Sequence, residues 1–371
     1  MRSLALRGAG AVVGVVVTIL LAPPLLLGLL VLFGAVLLLL PAPSRRHVIR
    51  RMPRVVVLAI LATAVIWVLV RVIPDAQRVS RMPVSEAFSE WMEWATTAAT
   101  GDLGFSDGYR ESVNDGVART IPITLQLAAY SMLVALLVAV PAALMAVRWQ
   151  GRFVDRAITT TTFVLLSIPP IVIAPLILAT FALGGIDIFG VQVGAEWLPS
   201  GRYDAVGDGV VPHMQSMALP TLALAAGLVA PYVAVLRTEM LTVGARDFIQ
   251  SANARGLPPR LVILRHALPA SAPRLVAVVA AQTGILLGSI VIIEHLFLLP
   301  GFTDYVLVAI SRRDLPPLAG GTAVIAASLA LINLLADAII IAMDPRAAEE
   351  PSISPRVRLL RSLREAPAPA R

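Results

Sequence analysis

Residues Gln250–Pro269 read QSANARGLPPRLVILRHALP and stand between two strongly apolar runs. The segment Asp247–Ala254, DFIQSANA, has a helix-compatible composition. It opens on an acid, which is favourable at the positive end of a helix dipole. Phe248 and Ala252 are four residues apart and share one face. Gly256 suits the left-handed residue that closes such a helix, and Pro258-Pro259 stop it from continuing. A second short turn through Leu261 and Leu264 to His266 is expected before Pro269 and the next apolar helix. The product is a rigid elbow, whose small residues Ser251, Ala252 and Ala254 let another backbone approach closely. A solvated loop would have a similar composition, so the surrounding chain has to decide.

That chain is 371 residues long, 58% hydrophobic and 14% charged, with a mean hydropathy of +0.84. A soluble domain of this size could not cover so much apolar surface, and the reading is an integral membrane protein. Cysteine is absent, which removes disulfides, thiolate metal sites and cysteine nucleophiles. All 30 cations are arginine. Without lysine there is no P-loop lysine and no Schiff base, so the simplest routes to binding and splitting ATP within this chain are closed. The arginines cluster beside apolar runs, as topology signals do, and the net charge of +7 is read as orientation rather than as a nucleic-acid footprint.

Six apolar segments reach the roughly 20 residues a bilayer crossing needs: 54–73, 121–147, 158–183, 218–236, 275–298 and 319–343. A further run, 9–40, is broken by Pro23-Pro24 and fits either one kinked helix or a hairpin dipping into the membrane. The connections on one side of the six carry 20 arginines and 7 acids, those on the other 8 arginines and 14 acids. The positive-inside rule makes the first side, with the elbow and the C-terminus, cytoplasmic. The expected organisation is an extra hydrophobic segment with an arginine cluster (1–53), a first core helix with an extracytoplasmic segment (54–119), a core (120–345) whose cytoplasmic loop is 237–272, and a basic tail (346–371). In the extracytoplasmic segment, Phe88, Trp91, Met92 and Ala95 fall at helical spacing, which suits a helix lying at the interface as a lid or as a docking surface.

The elbow also carries a resemblance. Gln250-Ser251-Ala252, three residues, Gly256, nine residues, His266, Ala267, Leu268-Pro269 resembles the cytoplasmic-loop pattern Glu-Ala-Ala, Gly, Ile, Leu-Pro of permease subunits in binding-protein-dependent ABC importers. The departures are Gln250 for the acid, Ser251 for the first alanine and His266 for isoleucine, and a histidine there is similar to the dipeptide and oligopeptide (peptide/nickel) branch. GDLGFS at Gly101–Ser106, IPITLQLA at Ile121–Ala128, SIPPIVIAPLIL at Ser167–Leu178, IVIIEHLFLLPGF at Ile290–Phe302 and AISRRDLPPLAGG at Ala309–Gly321 resemble that branch in the same order.

The resemblance implies an all-α polytopic membrane fold, the type I (MetI-like) permease bundle, with six core transmembrane helices plus the extra N-terminal hydrophobic segment. It implies that the elbow is a coupling helix seated in a separate ATPase. Asp247, Phe248, Gln250, Ser251, Ala252, Gly256, His266 and Pro269 would then transmit motion without doing chemistry. The implied partners are a second homologous permease, two ABC ATPase subunits that bind the ATP and Mg, an extracytoplasmic substrate-binding protein, and a dipeptide or oligopeptide substrate. The same machine carrying nickel or another small solute is the alternative. An ion-coupled secondary transporter would show intramembrane carboxylates and inverted repeats. Glu294 and Asp337 are the two such carboxylates in the apolar segments. Glu294 is read as a local structural group, paired with Arg312 or Arg313, or as a pathway contact. Gln126, Gln282, Ser289 and Asn333 are pathway linings or interhelical hydrogen-bonding groups. His213 and His47 are expected to be solvated.

Overall fold

The computed structural model describes Val57 and residues 60–72, 82–188, 191–194, 196–199 and 201–343. The expectations for 1–53, including the run 9–40 and His47, and for the tail 346–371 lie outside the described residues. Ten α-helices follow in order among those described, besides a 3-10 turn at Val206–Asp208: α1 (Ile60–Val72), α2 (Val84–Ala99), α3 (Val113–Arg148), α4 (Phe153–Ser167), α5 (Pro170–Phe181), α6 (Val210–Gly244), α7 (Asp247–Ala254), α8 (Pro259–Leu296), α9 (Phe302–Arg312) and α10 (Leu315–Met343). Two short antiparallel hairpins, Phe105–Ser106 with Glu111–Ser112 and Ile186–Ile188 with Val191–Val193, decorate the side opposite the arginine-rich connections. Helices α3, α6, α8 and α10 are long and apolar enough to cross a membrane, and the bent pair α4–α5 makes a fifth span if counted as one. This is an all-α polytopic bundle.

Helix α6 is its axis. Within its most apolar window 61% of residues are buried, against 28% for α3 and 33% for α8, so the other helices pack around it. The largest helix contact is between α3 and α6. Its cause is legible along α3, where Ala135, Ala139, Ala143 and Ala146 are all fully buried at three- and four-residue spacing, while Leu137 is 64% exposed. Side chains this small let two backbones close up, which is how helices associate where lipid is as apolar as leucine.

The segment 158–183 was expected to be a single crossing, but the chain breaks between Ser167 and Pro170 and the two helix axes differ by 106°. Pro169 drives Ile168 into extended backbone (φ −97°, ψ 118°), and Pro170 then opens a new helix at its first position. The reverse holds at Pro269. The turn expected to end there continues instead as one helix from Pro259 to Leu296. A π turn over Ile263–Ala267 hands the Leu268 amide to the Ile263 carbonyl, and this wider turn accommodates a proline that donates nothing.

Helix α2 forms where the apolar spacing placed it, but it buries a different face. Ala87, Trp91 and Trp94 point inward, whereas Phe88 and Met92 are 46% and 45% exposed. The tryptophans decide the rotation. Trp91 Nε1 donates to Thr63 Oγ1 (3.3 Å), Trp94 Nε1 donates to the Leu103 carbonyl (3.0 Å), and Trp94 packs on Trp67. His213 is not solvated but 2% exposed. Its Nδ1 lies 2.8 Å from the Asp204 carbonyl oxygen, which can only accept, so the ring proton is on Nδ1 and Nε2 accepts from the Tyr130 hydroxyl (3.3 Å).

Candidate functional site

The elbow is built as a capped, mounted helix. Arg246 leaves α6 in extended backbone (φ −76°, ψ 148°), and α7 starts at Asp247. Gln250 Nε2 donates to the Ala245 carbonyl (3.1 Å), satisfying an acceptor left open at the end of α6. At the other end Gly256 has φ +74°. Its amide bonds the Asn253 carbonyl (2.9 Å) and the Leu257 amide bonds the Ala252 carbonyl (3.4 Å), the paired closure of a Schellman motif. A Cβ at position 256 would meet nothing within 4 Å, so glycine is favoured there by backbone conformation rather than by space.

The mount is apolar. Ile249 and Ala252 are 3% and 1% exposed and join the main core with Met240, Val243, Val262 and Ala267. Ala252, expected on the presented face with Phe248, therefore serves the inner one. Ile249 is the anchor that sequence reasoning missed, and it rotates the helix so that Phe248 stands 43% exposed. Asp247, Gln250 and Ser251 are exposed beside Phe248, His266 is half-buried in the π turn, and Pro269 is exposed on the continuous part of α8. The structure thus gathers Asp247, Phe248, Gln250 and Ser251 on one presented surface and separates His266 and Pro269 from it.

The pathway candidates scatter. Glu294 is fully buried, accepting from Thr124 Oγ1 (2.5 Å), from the Thr303 amide (2.9 Å) and hydroxyl, and from the Asp304 amide (3.0 Å). Thr124 Oγ1 in turn accepts from the Phe302 amide (2.8 Å), so one carboxylate knots α3, α8 and the start of α9. A Cβ on Gly301 would lie 2.1 Å from the Glu294 carboxyl carbon. The expected partner Arg312 instead donates to the Gly108 carbonyl and covers the Tyr109 ring (5.2 Å to its centroid). Gln126 is buried on α3, and Gln282 and Ser289 are half-buried on α8. Asn333 is exposed and bonds the Leu329 carbonyl (2.9 Å), and Asp337 is half-buried on α10. Of the six candidates, Ser289 lines a cavity of about 190 Å³ with Ile171, Gly288, Ile292 and Ile293, where the break after α4 meets α8.

Two further clusters emerge. On the face opposite the elbow, Asp314 accepts from Ser106 Oγ (2.5 Å) and from the Gly108 amide (2.9 Å), and Tyr109 stacks on Tyr305 (4.5 Å). Burial, reinforced by Glu111, pushes the Tyr305 phenol up to about 12, so it stays protonated. On the arginine-rich side, Arg237 of α6 grips Asp155 of α4 through Nε–Oδ1 (2.7 Å) and Nη2–Oδ2 (2.9 Å). Both residues had been read only as topology charges. The signal that could have found them is an acid in the first helical turn of an arginine-rich connection, with an arginine two turns inside the end of the facing helix.

Comparison with known proteins gives the class and then the family. A family model described as "Binding-protein-dependent transport system inner membrane component" matches residues 128–349. The chain belongs to that family and is a permease subunit of an ABC importer. Curated relatives include a probable peptide ABC transporter permease of Sinorhizobium fredii, 28% identical over 69% of this chain and 79% of its own length. A putative peptide permease of Brucella suis is 27% identical, with 69% and 78% covered. The glutathione transport system permease of Escherichia coli K12 is 26% identical, with 81% and 97% covered. A solved structure titled as an amino acid ABC transporter with histidines aligns at a TM-score of 0.41 and 13% identity, covering 68% of this chain and 98% of that one.

Proposed function

We propose that this chain passes small peptides across the cytoplasmic membrane as one half of a permease pair. Two ATPase subunits drive it from the cytoplasm, and an extracytoplasmic binding protein delivers the solute. The observation that carries the reading is the division of α7 into a buried mount, Ile249 and Ala252, and a presented face around Phe248 and Ser251. A helix only eight residues long, closed at its C-terminal end by the Gly256 motif and with one side sunk in the core, is stiff enough to move the bundle when its free face is gripped. The arginine excess on the elbow side supports a cytoplasmic orientation of that face, the side on which ATPases work. ATP and Mg belong to the partner subunits, and this chain contributes motion. The peptide substrate is supported by relatives named as peptide and glutathione permeases.

The test is reconstitution of the complete complex in proteoliposomes with binding protein and Mg-ATP, offering labelled trialanine, glutathione or nickel. Nucleotide-dependent accumulation of a peptide supports the reading. Accumulation of nickel alone overturns the substrate. Transport by the chain without its ATPases overturns the machine.

A further inference from the structure

Helix α4 packs on α3 and α6, with Ile158 against the main core, and is also tied to α6 by charge. Its buried residues are Asp155 and Thr162, whereas Phe153, Phe163, Val164 and Leu166 are 83%, 64%, 53% and 48% exposed. The helix leads directly into the 106° break and so to the cavity shared by Ile171 with Gly288, Ser289 and Ile292. Its charged link to α6 is the two-point grip of Arg237 on Asp155. Arg237 is on α6, about two helical turns before the elbow leaves its end. Asp155 is buried and the Arg237 side chain is 24% exposed, and an ion pair whose charges must lose water seldom adds much net stability over apolar packing. What a bidentate arginine–carboxylate pair does add is fixed relative orientation.

We propose that the Asp155–Arg237 pair is a transmission strut. These two positioning residues make α4, and with it the break that borders the cavity, follow α6 when the elbow is displaced. The displacement travels from α7 through Ile249 and Ala252 into the end of α6, and across the ion pair into α4. Without the pair α6 would still move, and α4 would be carried by packing alone, with its orientation relative to α6 no longer fixed. The strut rests on the reading of α7 as the ATPase-gripped element.

Asp155 also accepts the Gly151 amide (2.9 Å), a local closure of the turn before α4, and Thr159 approaches its other oxygen. Asp155→Asn keeps an acceptor for that amide while removing the charge, and Arg237→Lys keeps the charge while losing the two-point grip. Because the chain has no cysteine, spin labels at Phe163→Cys on α4 and Ile285→Cys on α8 report their separation, both sites being 64% exposed. The complete complex in proteoliposomes is measured without nucleotide and after vanadate trapping, alongside trialanine taken up per ATP hydrolysed.

In the unmutated complex the label separation should change with nucleotide. In both variants the complex should assemble and hydrolyse ATP, the change should be lost, and uptake per ATP should fall about tenfold. An unmutated complex that shows no nucleotide-dependent change overturns the reading of α7 itself. If that complex responds and the variants respond equally, with uptake per ATP unchanged, the strut is wrong. Loss of assembly in both variants would assign the pair to folding and likewise overturn it.

Discussion

Phe248 and Ile249, neighbours in the chain, face opposite ways: Phe248 is 43% exposed at the tip of the elbow and Ile249 is 3% exposed in the main core. Substitutions at the two positions should therefore separate gripping from mounting. Phe248→Ala is expected to leave thermal stability in detergent unchanged and to reduce copurification of the ATPases. Ile249→Ala removes buried methylenes and should cost about 2–4 kcal/mol at the elbow, read as earlier proteolysis of the Arg246–Leu257 connection. Equal ATPase recovery from Phe248→Ala and the parent would count against the presented face.

Gly256 closes α7 with φ +74° and faces open space. Alanine there should cost only about 1 kcal/mol, the left-handed penalty, and asparagine less. Valine, which is both β-branched and L-chiral, should disrupt the cap and uncouple uptake from ATP hydrolysis while membrane insertion, assayed by extraction, is retained. If valine behaved like asparagine in the uptake assay, the cap would not be what stiffens the elbow.

Glu294 answers the question its burial raises by accepting only from hydroxyls and amides. Glu294→Gln can keep its oxygen on the Thr303 and Asp304 amides only by turning its NH2 toward Thr124 Oγ1, which must then accept twice and lose its own acceptor, and should destabilise by about 1–3 kcal/mol. Gly301→Ala should be at least as damaging, because its Cβ would collide with the carboxyl group. Both effects are read as lowered melting temperatures of the purified complex. A Glu294→Gln protein of normal stability but altered transport would return this residue to the pathway.

The parts legible in the sequence were those fixed by local chemistry. Gly256, Pro258 and Pro259 bound α7 because left-handed backbone and missing amides act within one turn. Four of the six apolar runs, 121–147, 218–236, 275–298 and 319–343, lie in helices long enough to cross because hydrophobicity is summed along the chain, whereas 158–183 is broken and 54–73 gives only the short α1 among the described residues. What stayed hidden depends on what arrives from elsewhere. Nothing near Phe248 says that Ile249 will find Val262 and Ala267, nothing near His213 announces Asp204 and Tyr130, and Asp155 meets Arg237 only once α4 lies beside α6. Proline shows both limits. Pro169-Pro170 break a helix outright, while Pro269 is absorbed by a π turn whose formation the local sequence does not dictate.

Ala139 on α3 is fully buried against α6, and Leu137, two residues earlier, is 64% exposed. Ala139→Leu inserts three carbons into the core that α3 and α6 share. It should cost at least about 1–3 kcal/mol, since the helices must separate or the side chain must leave its rotamer. Leu137→Ala removes the same number of carbons from an outward surface and should change stability by less than about 0.5 kcal/mol. Size-exclusion profiles and melting of the purified complex compare the two directly. A dispersed, early-melting Ala139→Leu beside an unaffected Leu137→Ala is the outcome expected of an alanine seam. Were the order reversed, α3 would be packing on α6 through its large residues, and α6 would lose its place as the element to which elbow and strut are both fixed.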